Sequence, residues 1–325
     1  MLSLVRFWLI CVLKPRSKTT QGNDLGFTMI ELLISAVVAS MIITPILFFV
    51  VDVLRTDTQE EIRARSDQEL QAAADFIRRD LSQAIYIYDG QGIAEIIEND
   101  GNGYLPDHDK LVLLFWKQEF RPNVIPDGSV NRPFSANHCD TRRCDDAQVL
   151  SLVAYYLQTG DSDTWSGQAR ISRLQIRDGV IDPSREAQCT QPPCYIEGHR
   201  PDAGFARPPG RLRMNEWRAS GPITQPREVL IDYIYPGVVE GLAADHCRTV
   251  FNLTGTTDPT EANLLSGNKG SGFFVCVDSA RTTALVNLRI NAAIRIDPNA
   301  ETFNRNQEPL FPATSFLVKG LGAFN

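Results

Sequence analysis

The chain has 325 residues, of which 43% are hydrophobic and 22% charged, with 32 basic and 39 acidic residues giving a net charge of −7. That apolar content can fill a core, which excludes a disordered polyelectrolyte, a collagen-like repeat and a transporter built of many membrane spans. The acidic balance excludes general binding to a phosphate backbone, so no nucleic-acid partner is expected. The charge is uneven. Residues 1–26 hold Arg6, Lys14, Arg16 and Lys18 against Asp24, a net of +3, which leaves −10 for residues 27–325.

Residues 1–26 include an apolar stretch of their own, Leu4–Leu13. Residues 27–51 then read FTMIELLISAVVASMIITPILFFVV, an apolar run with one charge, Glu31. As a helix these 25 residues span about 37 Å, enough to cross a hydrocarbon core of about 30 Å. Basic residues precede the run and acidic ones follow, which predicts a cytoplasmic N-terminus and an exported remainder. The run is too long for the apolar part of a cleavable secretory signal and has no A-x-A site after it. A plain anchor has no use for a carboxylate, because an ionisable group in a membrane is costly and by default functional. Pro45 lies inside the run, where it removes one backbone hydrogen bond and is expected to kink the helix.

Residues 52–88 are expected to continue as the amphipathic half of the same helix. Ile62, Ala73, Phe76, Ile77, Leu81, Ala84 and Ile85 form an apolar stripe of helical spacing, and Glu61 with Arg65 and Asp75 with Arg79 stand as i,i+4 pairs. The stripe predicts packing on a sheet. Residues 89–325 read as a β-rich head. The expected strands are Leu111–Trp116, Val149–Gln158, Ala169–Arg177, Val229–Tyr235, Gly272–Asp278 and Ala284–Ile296, with long loops at 117–148, 178–228 and 252–271. Loops of that length are usually functional surfaces. The fold class is therefore α+β, a long N-terminal helix on an antiparallel sheet.

Six cysteines lie beyond Cys11: Cys139, Cys144, Cys189, Cys194, Cys247 and Cys276. An even number in an exported head predicts disulfides. Cys139–Cys144 and Cys189–Cys194 share a C-x4-C spacing suited to closing small loops, which leaves Cys247 with Cys276. The competing reading is zinc, because His138 precedes Cys139 and His246 precedes Cys247, although the spacing is not that of a zinc knuckle. Asp100, Asn102, Asp107 and Asp109 sit in an acidic, Gly-rich loop whose oxygens suit a structural calcium ion; Asx-Gly turns account for the same residues without metal. Otherwise no cofactor is expected. Gly160-Asp161-Ser162 has the form of a GDS hydrolase start but no later Asp-x-x-His follows it, and HExxH, P-loop and GxSxG motifs are absent, so no enzyme is expected.

Gly26-Phe27-Thr28-Met29-Ile30-Glu31-Leu32-Leu33, opening directly into the apolar run, resembles the type IV prepilin family, which includes the pseudopilins of type II secretion and related machines. The resemblance is close over residues 26–85 and extends over the head only in layout. It implies a pilin-like fold, cleavage by a prepilin peptidase after Gly26, which would remove the leader at 1–26, and N-methylation of Phe27. It implies that 27–51 is a combined transmembrane and assembly helix, single-pass in the inner membrane. Glu31 would pair with the new Phe27 ammonium of a neighbouring subunit, and Pro45 matches a proline of the family's assembly helix. Val153-Ala154-Tyr155-Tyr156-Leu157 with Ser172-Arg173-Leu174 is similar to a strand pair of the larger minor pseudopilins of the J/W type. The run from Ile43-Thr44-Pro45 to Asp52-Val53-Leu54 is most similar to cyanobacterial pseudopilins of hormogonium polysaccharide secretion. The implied partners are other pilins or pseudopilins, the peptidase and an inner-membrane assembly platform, with polysaccharide as cargo and gliding motility as outcome. The alternative is a minor pilin of a type IV pilus serving adhesion, twitching or DNA uptake.

Overall fold

The computed structural model describes residues 28–126, 144–160, 162–182, 193–196, 198–300 and 302–322. The chain divides into two compact units, Met1–Asp57 and Thr58–Asn325. The described part of the first is helix from Met29 on: α1 runs Met29–Ser82, with Pro45 inside it, and so passes from the first unit into the second.

Within the second unit, α1 ends at Ser82 and the chain turns at once into β1, Ala84–Ile87. The helix is thus shorter than its apolar stripe suggested, and Ala84 and Ile85 belong to a strand. A short helix, α2 (Gly90–Asn99), follows, started by Asp89, whose carboxylate accepts the Gly92 N–H at 2.8 Å. Next come β2 (Leu111–Pro126), β3 (Cys144–Gln158), β4 (Ala169–Arg177) and β5 (Glu228–Ile234), which with β1 make a five-stranded antiparallel sheet in chain order. Two short helices, α3 (His246–Val250) and α4 (Glu261–Leu264), lead to a second antiparallel sheet of β6 (Leu265–Ser266), β7 (Phe273–Asp278), β8 (Thr283–Arg289) and β9 (Ala313–Lys319).

The two sheets meet at both ends of the first. The end of β5 bridges Ile290, and Gly272 donates its N–H to the Tyr235 carbonyl at 3.0 Å. A Cβ at Gly272 would stand 2.3 Å from that carbonyl oxygen, so only glycine permits the approach. At the other end the Gly322 N–H reaches the Ala84 carbonyl.

This arrangement gives the head portion of α1 two sheets to pack on. Leu70, Ala73, Ala74, Ile77 and Leu81 join one core with Leu113, Phe115, Val153, Tyr155 and Ile171 of the first sheet and Phe273, Val275, Val286, Leu288 and Phe316 of the second. The alternation of β2 and β3 sends Leu114, Trp116, Leu152, Ala154 and Tyr156 to the opposite face, where Ile93 and Ile96 of α2 and the loop residues Phe205, Met214 and Trp217 cover them.

A charged group interrupts the helix–sheet core. Asp80 of α1 is buried, and its carboxylate accepts hydrogen bonds from Lys117 Nζ at 2.7 Å, Tyr155 OH at 2.8 Å and Arg173 Nε at 2.7 Å, one donor from each of β2, β3 and β4. The network continues along the sheet: Arg173 donates to Gln175 at 2.6 Å, Gln175 to Glu119 at 2.6 Å, and Ser151 and Arg177 to the same Glu119 oxygen at 3.0 and 2.9 Å. Burial on its own would raise the Asp80 pKa. The hydrogen bond and charge of Arg173, with the charge of Lys117, outweigh it and hold the carboxyl below its ordinary value. A folded pKa below the unfolded one means that the carboxylate adds stability above the unfolded value of about 4 and that this is lost as pH falls through the folded value. We predict that Asp80→Ala lowers unfolding stability by about 3–5 kcal/mol at neutral pH, because Lys117 and Arg173 are left buried without their anion. Denaturant unfolding between pH 7 and pH 3 should show a smaller loss of stability with acid in Asp80→Asn than in the parent.

Candidate functional site

The candidate site is the N-terminal stretch of α1. Every residue from Thr28 to Glu61 is exposed, including Met29 at 92% and Phe48 at 74%. The apolar part of this helix is unburied, and by length and composition it is able to cross a membrane. Its small polar side chains are satisfied on its own backbone. Ser35 Oγ donates to the Glu31 carbonyl at 2.7 Å, Ser40 Oγ to Val37 at 2.8 Å and Thr44 Oγ1 to Ser40 at 2.7 Å. Such internal pairing is what an apolar solvent demands. Pro45 has no N–H, so the Met41 carbonyl lacks the donor that a helix normally supplies four residues later.

Thr28 opens the helix. Its side-chain oxygen accepts the Glu31 N–H at 3.3 Å, and Glu31 lies in the first turn, where the helix dipole favours an acid. The Thr28-x-x-Glu31 spacing is that of a capping box, but only the threonine half is made. The Glu31 carboxylate has no hydrogen-bond or ion-pair partner among the described residues. Gly26 and Phe27, the expected cleavage and methylation positions, lie outside the described residues.

The expected ion pairs on α1 are redistributed. Asp75 pairs with Arg78 at 2.6 Å rather than with Arg79, and Arg65 with Glu69 at 3.0 Å rather than with Glu61. Glu69 is claimed from a second side as well: Arg295, just after β8, reaches both Glu69 and the buried Ser66.

The acidic loop uses its oxygens internally. Asp100 accepts the N–H groups of Tyr104 and Leu105 at 3.1 and 2.7 Å and contacts His108 Nε2 at 2.8 Å, while Asp107 is paired with Arg227. The Arg227 hydrogen bond is the leading cause that holds the Asp107 pKa down. Asn102 and Asp109 complete the four expected ligands, but among the described residues no three His, Cys, Asp or Glu side chains are grouped to hold a metal ion. Ser162 Oγ accepts the N–H groups of Thr164 and Trp165, both at 3.3 Å, a local turn contact; Asp161 lies outside the described residues.

The third cysteine pair forms as its position in the sequence suggested. Cys247 of α3 and Cys276 of β7 are bonded, with Cα atoms 5.3 Å apart, in a small core with Phe251 and Leu264. With its sulfur taken, Cys247 is not a zinc ligand alongside His246. Cys144 and Cys194 are also disulfide-bonded. Cys139, Cys189 and His138 lie outside the described residues. The structure adds residues that local sequence patterns do not single out: Asp80, Glu119 and Arg295 all read as surface charges until their partners, tens to hundreds of residues away, are known. No family model, curated protein or solved structure matches the chain.

The Cys247–Cys276 bond closes a loop with a sequence separation of 29. By loop entropy, the double variant Cys247→Ala/Cys276→Ala should lose about 3–4 kcal/mol in denaturant unfolding. Maleimide labelling of the denatured, unreduced chain should find no free thiol beyond Cys11.

Proposed function

We propose that the chain is a pilin-like subunit, a minor pseudopilin, that enters a filament of an envelope-spanning machine through its N-terminal helix. The observation that carries this reading is an apolar helix stretch, exposed among the described residues, that holds at its start a carboxylate with no partner among them and belongs to the same helix, Met29–Ser82, that packs in the β head. An uncovered apolar helix needs lipid or other helices around it. A carboxylate in that setting needs a cation, and the ammonium that cleavage after Gly26 would create on Phe27 of a neighbouring copy is of the right charge and at the right end. Such a pair acts as a register device more than as a source of stability. The size and loop content of the head favour a minor subunit over a bulk one. The resemblance of the helix to pseudopilins of polysaccharide export makes a polysaccharide the cargo, with the N-terminus cytoplasmic before cleavage and the head on the far side of the inner membrane. The −10 of residues 27–325 disfavours the DNA-uptake form of a type IV pilus.

Two measurements test it. Mass spectrometry of the purified protein should give an N-terminus at methylated Phe27; an intact residue 1–26 segment would remove the cleavage step from this reading. Glu31→Ala should leave the protein in the membrane fraction and reduce its recovery in sheared filaments at least about tenfold, the scale expected when a contact worth about 1.4 kcal/mol is lost. Normal filament recovery of that variant would refute the pairing.

A further inference from the structure

A second feature lies wholly within the head. Between α1 and β5 is a cleft of about 680 Å³ whose walls include Phe76 of α1, Trp165 of the β3–β4 loop and Tyr233 of β5. Its size falls in the range of roughly 300–1,000 Å³ that is typical of ligand sites. Large exposed aromatics are few in this unit: among its described residues only Phe76 (45%), Phe120 and Trp165 (42%) qualify, and two of the three face this one cleft. The rings come from three separate segments and are held in place. The Arg173 guanidinium stands 5.6 Å from the Phe76 ring centre, and the Arg295 guanidinium 4.2 Å from that of Tyr233.

Tyr233 is also strained. Its φ of 61° is one that a bulky aromatic residue rarely adopts, and the strand stays turned there because the Asn291 N–H binds the Tyr233 carbonyl at 2.8 Å. Strain of this kind persists where the surroundings enforce it, and it concentrates at binding sites.

The cleft carries no spare charge. Arg65 and Arg295 both pair with Glu69, and Asp232 accepts the Ser166 N–H at 2.8 Å and the Ser166 hydroxyl at 2.7 Å. The two cations and two anions cancel. Along one wall, residues 228–232 make no backbone hydrogen bond outside their ladder with β4 among the described residues, so the outer side of this edge offers free N–H and C=O groups.

We propose that this cleft binds a neutral oligosaccharide segment. A pyranose ring has a flat C–H face that lies on an aromatic ring and a rim of hydroxyls that takes backbone donors and acceptors, and it brings no charge to be matched. An acidic ligand would find no unpaired cation. An added peptide strand would find only a short free edge, because β5 turns away at Tyr233 and its end already bridges Ile290. The proposal deepens the export reading and rests on it only for where the sugar comes from.

The test uses the full chain in detergent micelles. Trp116 and Trp217 are buried, so among the described tryptophans Trp165 is the one whose emission a ligand reaches. Titration with maltohexaose or cellohexaose should change the emission saturably in the ~mM range usual for weak binding. Saturation-transfer NMR on the same sugars should report contact, and that signal should weaken about tenfold in Trp165→Ala and in Phe76→Ala, by the same affinity scale. Silence with both neutral sugars overturns the proposal. A response to oligogalacturonate alone, or to an extended Val/Thr hexapeptide alone, overturns it in favour of an acidic or peptide ligand. Unchanged transfer in both variants places the sugar elsewhere and overturns it as well. Sugar binding in Glu31→Ala separates this proposal from filament assembly: a subunit that binds sugar but does not assemble keeps the cleft intact, and one that assembles but does not bind removes it.

Discussion

The head depends on one buried carboxylate. Asp80 is the point at which α1 is fixed to three strands at once, since Lys117, Tyr155 and Arg173 each donate to it from a different one. An aliphatic side chain there would pack on the sheet at several registers of comparable energy, because apolar contacts are non-directional. Three directional donors accept one position. A buried ion pair of this kind adds little net stability over a well-packed apolar replacement, but it penalises every arrangement in which it is broken. The sheet in turn is tuned to the helix. Gln175 passes the network on to Glu119, so the row of polar side chains on the helix-facing side of β2, β3 and β4 is satisfied internally.

A second clamp works from the other sheet. Arg295 follows β8, stacks on Tyr233 of the first sheet and reaches Ser66 and Glu69 of α1. From Glu69 to Asp80 the helix advances about 16 Å, and Leu70, Ala73, Ala74 and Ile77 lie in that interval. The two alanines let the helix approach both sheets closely, and the polar clamps at the two ends fix where along its axis it does so. The strain at Tyr233 belongs to this second clamp as much as to the cleft, since the same residue supplies the ring on which Arg295 rests.

What the sequence made legible follows from how local each signal is. The apolar run after Thr28 and the strands over Leu111–Trp116, Val149–Gln158 and Ala169–Arg177 stand out because continuous apolar or β-branched runs need no partner to be recognised. β1 was hidden because Ala84 and Ile85 also fit the helical stripe of α1, and tertiary pairing with β2 decided between the two. β9 was hidden because Ala313–Lys319 (ATSFLVK) is an edge strand whose apolar residues cluster at Phe316–Val318 rather than alternate, and its alternating burial arises only on pairing with β8. Buried Asp80 could not be told from exposed Asp75 five residues earlier, since burial of a charge is settled by the distant donors that compensate it. The N-terminal candidate was legible because Thr28, Glu31 and the apolar run are contiguous. The cleft was not, because Phe76, Trp165 and Tyr233 are separated by 60 residues or more and share no local pattern.

The placement of the clamps bears on what α1 would have to withstand in the proposed filament. In a filament that grows or retracts, any load between subunits would be applied along the helix axis. An apolar stripe on a sheet resists separation but resists sliding poorly, because moving one side chain past another exchanges one dispersion contact for a similar one. A slide of a single residue, about 1.5 Å, would lengthen the hydrogen bonds at Asp80 and Glu69 past useful geometry while the apolar contacts re-form. The resistance to axial displacement therefore sits in these few charged hydrogen bonds. In the proposed filament, an axial load on α1 would reach the head through Asp80, so the carboxylate that sets the position of the helix on the sheet would also be the group that resists its displacement.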